Sequence, residues 1–307
     1  MRVLFAGTPA VALPSLEALL AAGFDVVGVL TRPDAPIGRK RVLAPSPVAA
    51  RAEELGLPII RANRLDTEVQ EQIALLRPEV AAIVAYGALV PPAALTIPDY
   101  GWINLHFSLL PAWRGAAPVQ HAVINGDDVT GAVTFQLEAG LDTGPVFGTV
   151  TEFIRRDDTG SALLTRLSHS GSVLLTQTLS AVAAGTATAI EQTGPVSLAP
   201  KLTIEDGRID FSVPALAVSR RIRGVTEEPG AWTVLAGQRF KVAAATLRPD
   251  RRELAPGQLA QAGKSLLVGT GSHAIELLAV QPAGKKMMDA ADWLRGVGMV
   301  DGMVFGE

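Results

Sequence analysis

Cysteine is missing altogether from this chain of 307 residues. Its absence removes disulfides, thiol nucleophiles, iron–sulfur ligation and cysteine-type zinc sites, and with them any need for an oxidising compartment. Histidine is almost as scarce. His106, His121, His169 and His273 are dispersed, with no HExxH and no close pair, so no metal is expected. No stretch is continuously apolar over a membrane's thickness: 80–98 carries Pro91, Pro92 and Pro98, and 167–190 is laced with Ser, Thr, His and Gln. The N-terminus reaches Thr8-Pro9 after too few apolar residues for a secretory signal. The expected location is therefore cytoplasmic, with no membrane partner. GxGxxG and Walker A sequences are also lacking, which disfavours a nicotinamide or ATP enzyme.

What is present is 48% hydrophobic, enough for a sizeable core, in a length that suits about two domains. The net charge of −3 excludes a strongly basic coat. It is unevenly held: residues 1–200 carry 13 Lys+Arg against 18 Asp+Glu, and residues 201–307 carry 14 against 12. The spacing predicts strands at 3–5, 25–30, 57–60, 80–84 and 102–106, alternating with helices at 14–22, 47–55 and 68–76. That order defines an α/β domain with a mainly parallel sheet, a design that binds ligands at the carboxyl ends of its strands. A helix at 117–124, strands at 131–137 and 145–152 and a long helix at 158–184 follow. Around 186–209 the composition shifts to Thr, Gly, Pro and Ser without a period, as in a linker. Beyond it, one helix (213–223) and short strands at 231–235, 239–247, 265–269 and 274–280 suggest a small OB-type β-barrel.

The densest polar constellation is Asn104-Leu105-His106 at a strand end. Residues two apart on a strand share a face, so Asn104 and His106 point the same way. An Asn carboxamide donates to a developing oxyanion, and a His moves a proton near neutral pH. Asp142, between Gly140 and Gly144, fits as the carboxylate that orients the imidazole. Such a set catalyses acyl-type transfer without a covalent nucleophile. An Asn-x-His at a strand end also serves as a plain turn cap. Two basic clusters, Arg39-Lys40-Arg41 and Arg220-Arg221 with Arg223, suit either a phosphate backbone or a solvated surface.

Several segments, taken in order, carry a family resemblance: Val3-Leu4-Phe5-Ala6-Gly7-Thr8-Pro9, Thr31-Arg32-Pro33-Asp34, Asn104 to Pro111 running on through Trp113-Arg114-Gly115, Gly140 to Gly144, Pro229-Gly230-Ala231-Trp232, and Gln281 to Met287. Along nearly its whole length the chain resembles the methionyl-tRNA formyltransferase family. The resemblance implies a Rossmann-like formyltransferase domain (1–188), a linker (189–207) and an OB-like tRNA-binding domain (208–307). It implies 10-formyltetrahydrofolate as co-substrate, initiator methionyl-tRNA as partner, and no obligate protein partner. By the family's motif Asn104, His106 and Asp142 are catalytic, Ser108, Leu109, Leu110 and Pro111 bind folate, and Arg39, with Lys40 and Arg41, reaches the tRNA. The Asn-x-His and Ser-Leu-Leu-Pro signature is common to formyl-folate formyltransferases and does not name the acceptor, so a small-molecule amine is the alternative. The loop near Arg39 and the C-terminal segments point to tRNA. In the expected mechanism Asn104 and His106 face the oxyanion, while Asp142 holds His106 and relays the amine's proton.

Overall fold

The computed structural model describes residues 1–37, 41–300 and 302–306. It divides into two compact units. The first comprises Met1–Pro118, Val129–Phe153 and Leu164–Pro200; the second comprises Val119–Asp128, Ile154–Leu163 and Lys201–Glu307.

The first unit begins β1 (Arg2–Gly7), α1 (Leu13–Ala21) and β2 (Asp25–Thr31), then a hairpin of β3 (Ala35–Ile37) and β4 (Val42–Ala44). Next come α2 (Pro47–Glu54), β5 (Ile59–Arg61), α3 (Thr67–Leu75), β6 (Val80–Val84), α4 (Pro92–Leu95), β7 (Trp102–His106) and β8 (Arg114–Gly115). After α5 (Pro118–Asn125), most of which belongs to the second unit, follow β9 (Val129–Gln136), β10 (Val146–Phe153), α6 (Gly160–Ala183) and β11 (Leu198–Ala199). α2 and α3 start on side-chain caps. Ser46 Oγ accepts from the Ala49 N–H at 3.0 Å and Asp66 Oδ1 from the Val69 N–H at 3.1 Å.

Seven strands form one sheet in the order β10-β9-β7-β6-β1-β2-β5. β7, β6, β1, β2 and β5 are parallel, and β9 and β10 extend that edge antiparallel. This is the mainly parallel sheet that the alternating pattern predicts. β6 and, beyond the exposed Arg2, β1 are apolar and buried on both faces, as central parallel strands must be. α6 lies against the antiparallel edge: Thr178 and Thr134 share a buried hydroxyl bond of 2.7 Å. Gly171 permits the close approach, since a Cβ there would stand 3.0 Å from Leu105 of β7.

The second unit carries α7 (Ala215–Gly224), β12 (Ala231–Leu235), β13 (Gln238–Arg248), β14 (Leu259–Ala262), β15 (Ser265–Val268), β16 (Ala274–Gln281), β17 (Met288–Asp289) and α8 (Ala290–Val297). Its antiparallel sheet runs β12-β13-β16-β15-β14, with β17 on β16. Register shifts near Val242 and Ala244 bend the long β13, as bulges do. The C-terminal segment bridges the two outer strands. Leu259 donates its N–H to the Met303 carbonyl (2.9 Å), Phe305 donates to Gly257 (2.8 Å), and Gly306 donates to Val234 (2.9 Å). The result agrees with the small antiparallel barrel expected. Its core centres on Phe240, whose ring lies 5.0 Å from Trp293 and 5.1 Å from Phe305. The expected single helix is joined by a second, α8. Among the described residues no helix is long and apolar enough to cross a membrane.

Candidate active site

Side-chain bonds join the carboxyl ends of the parallel strands. Thr8, just past β1, donates its hydroxyl to the Tyr86 carbonyl at 2.8 Å, and Arg32, just past β2, donates to the Gly87 carbonyl at 2.9 Å. Tyr86 is buried and donates its hydroxyl to Ala62; burial pushes its pKa up to about 12. These bonds hold open a cavity of about 700 Å³ lined by Arg32, Asn63, Arg64, Asp66, Leu89, Val90 and Ala139, among others.

Asn104 and His106 stand on β7 where the sheet changes from parallel to antiparallel. Asn104 is in register with Ile83 of β6 and Phe135 of β9, and His106 with Val133. Asn104 is half-buried, and its carboxamide has no hydrogen-bond partner among the described residues. His106 is only 6% exposed. Its Nε2 lies 3.0 Å from the Trp113 carbonyl, and the edge of Phe135 packs beside the ring. A carbonyl only accepts, so Nε2 carries the hydrogen and the neutral ring turns its Nδ1 lone pair outward. Nδ1 is 3.8 Å from Asp142 Oδ2, too long for a hydrogen bond but close for a charge. Burial lowers the His106 pKa below the ordinary imidazole value, and the Asp142 carboxylate opposes that shift.

Asp142 is itself held. Its Oδ2 accepts the Gly115 N–H at 2.7 Å. Three non-glycine residues around the site adopt left-handed backbone: Ala85 (φ 50°), Trp113 (φ 60°) and Asp142 (φ 50°). Such conformations persist only when their surroundings impose them. Ser108–Pro111 forms the tight turn that follows β7. Ser108 is buried and donates to the Ala112 carbonyl at 2.6 Å, and Leu109 packs on β9 at Gly131. Arg41 is exposed beside β4 at φ 50°, whereas Arg39 and Lys40 lie outside the described residues. Among the described residues no group of His, Asp and Glu has metal-holding geometry.

The structure thus brings Asn104, His106 and Asp142 together. It adds groups that motif reading did not single out for a role: the Trp113 carbonyl, the Gly115 N–H, and the cavity residues Arg32, Asn63 and Arg64. Trp113 and Gly115 follow the Ser-Leu-Leu-Pro stretch directly, but backbone donors and acceptors leave no side-chain signature.

A buried imidazole, a carboxylate beside it and an unpartnered carboxamide thus stand together where the parallel part of the sheet ends. Formyl transferase matches residues 1–179, and Formyl transferase, C-terminal domain, matches residues 201–298. The chain is 68% identical over 305 residues to the methionyl-tRNA formyltransferase of Arthrobacter sp. (strain FB24), covering 99% of this chain and all of that one. It is 70% identical, with the same coverage, to that of Pseudarthrobacter chlorophenolicus. A solved N-formyltransferase from Helicobacter canadensis, in complex with folinic acid and dTDP-3-aminofucose, has the same fold. Its TM-score is 0.70 at 17% identity, over 92% of this chain and 99% of that one. The chain belongs to the formyl transferase family and, within it, to the methionyl-tRNA formyltransferases.

Proposed function

We propose that the protein moves the formyl group of 10-formyltetrahydrofolate onto the α-amino group of methionine on initiator tRNA, in the cytoplasm, and that Asn104, His106 and Asp142 carry the transfer. Residues 1–188 perform the chemistry, 189–207 connect, and 208–307 bind tRNA together with Arg39, Lys40 and Arg41. The observation that carries the site assignment is the unpartnered Asn104 carboxamide, on the same strand face as a buried imidazole and beside a held carboxylate.

The amine attacks as the free base; a free α-amino group has a pKa of about 7.7–8.0, and the adjacent ester lowers it further. Its lone pair forms a bond to the formyl carbon, and the carbonyl electrons move to oxygen. Asn104 donates an N–H to that oxyanion. Because Nε2 of His106 is tied to Trp113, the ring exchanges its proton at Nδ1. Nδ1 takes the proton of the attacking amine, and Asp142 stabilises the imidazolium so formed. The proton then passes to N10 of folate as the carbon–N10 bond breaks, leaving a formamide and tetrahydrofolate. No metal takes part. The folate ring lies along Ser108, Leu109, Leu110 and Pro111. The strand-end cavity, with its apolar wall and Arg32 and Arg64, suits the anionic tail.

The test supplies purified protein with formyl-folate and three acceptors: charged initiator tRNA, charged elongator tRNA and an amino-sugar nucleotide. Formylation of the initiator alone is expected. Transfer to the sugar nucleotide with none to tRNA overturns the reading.

A further inference from the structure

Residues 189–207 lack periodicity, yet they are not free chain. Ile190 and Val146 exchange both backbone bonds, at 2.8 and 2.9 Å, and β11 pairs in parallel with β8. We infer that Gln192 is a positioning residue for formyl transfer, which holds the Asp142 loop, and that Ser197 holds the Trp113 segment that grips His106. The inference rests on the reading that Asp142 and His106 carry the reaction.

The Gln192 side chain makes four bonds. Its Nε2 donates to the carbonyls of Asp142 (2.7 Å) and Gly144 (2.8 Å), and its Oε1 accepts from Arg114 Nη2 (2.7 Å) and Nε (3.3 Å). Carbonyls only accept and guanidinium only donates, so a single amide orientation satisfies all four. The two carbonyls flank Thr143, so the pair of bonds fixes the turn that keeps Asp142 at φ 50°. The other end of the strap does the same for the imidazole. Ser197 Oγ accepts the Trp113 N–H at 2.8 Å, and the Trp113 carbonyl accepts from His106. Both partners of His106 are thus tied to one ten-residue stretch, 190–199. A misplacement of the order of 1 Å in such groups can cost about a hundredfold in rate.

The experiment compares Gln192→Ala, Gln192→Glu, Ser197→Ala and Ser197→Thr with wild type and with His106→Ala, in initiator tRNA formylation and thermal melting. Gln192→Glu keeps the acceptor for Arg114 and loses both donors to the loop. Gln192→Ala and Gln192→Glu are each expected to lower kcat about 10–100-fold, as loss of an outer supporting bond does, with KM for both substrates within about twofold. Ser197→Ala should lower kcat, and Ser197→Thr, which keeps the hydroxyl, should restore it. A pH profile separates positioning from plain loss of stability. His106 faces Asp142, the Trp113 carbonyl and the Phe135 ring; Asp142 alone is charged, and its charge and the hydrogen bond to Trp113 both raise the imidazole pKa against burial. Loosening Asp142 therefore moves the acid limb of kcat to lower pH. Wild-type kcat in Gln192→Glu overturns the inference. So does a loss in Gln192→Ala that follows melting temperature with an unmoved acid limb. Near-normal turnover in His106→Ala overturns the underlying reading of the site as well.

Discussion

Replacing Asp142 with asparagine removes one charge and little else. The new Oδ1 still accepts the Gly115 N–H, and the bonds from Gln192 to the backbone are unaffected. What disappears is a carboxylate 3.8 Å from His106 Nδ1. At that separation and an effective dielectric of about 20, its attraction for an imidazolium is about 4 kcal/mol. Fully expressed in the transition state, this corresponds to about a thousandfold in rate. Burial lowers the His106 pKa, so in the proposed mechanism the attraction is realised only when the ring takes the amine's proton. The loss therefore falls on kcat and not on substrate binding. Single-turnover formylation of charged initiator tRNA should slow about 10²–10³-fold, since part of the field is screened. The melting temperature should move by only a few degrees, as suits a change of about 1 kcal/mol or less. A variant that keeps its rate within about threefold would refute the role given to the carboxylate.

Gly115→Ala should be strongly destabilising, by about 3 kcal/mol or more; its φ is 125° and a Cβ would stand 2.6 Å from the Ala199 carbonyl. A melting temperature within a degree or two of wild type would contradict that packing. His106 binds its proton more weakly folded than unfolded, so its share of stability is complete above about pH 6.5 and is lost as pH falls from there through the folded value. Melting temperature should thus fall on acidification less steeply in His106→Gln than in wild type; equal slopes would count against a buried neutral ring. Phe305→Ala opens the aromatic cluster of the second unit and should lower stability by about 3–5 kcal/mol, read by denaturant unfolding of Trp293 fluorescence. Arg39→Ala should raise KM for charged tRNA and leave folate affinity nearly unchanged; an unchanged tRNA KM would remove the basic loop from the tRNA interface.

Strong periodicity made much of this legible in advance. Val80–Val84 and Trp102–His106 form as the pattern predicts, because a central parallel strand is a short apolar run with turn residues at its ends. A period of two put Asn104 and His106 on one face. The β3–β4 hairpin was hidden by its three-residue strands and by Pro36. α8 did have a signal, with Ala290, Trp293, Leu294 and Val297 at helical spacing, but Gly296 and its brevity weakened it. The strap at 190–199 had none, because its backbone pairings are an isolated bridge and a two-residue strand, and its side chains reach backbone groups 48 to 84 residues away. No local pattern encodes such a bond.

The three left-handed residues at 85, 113 and 142 bear on any attempt to engineer this enzyme for heat resistance. Each stores backbone strain of about 1 kcal/mol or more, and at Ala85, where only a methyl is lost, glycine relieves the fold locally. A screen that scores only residual structure after heating would enrich Ala85→Gly, loosening the frame around His106 while the protein looked improved. Selection for stability and selection for turnover pull in opposite directions at that position. A library that is to keep catalysis should leave all three fixed.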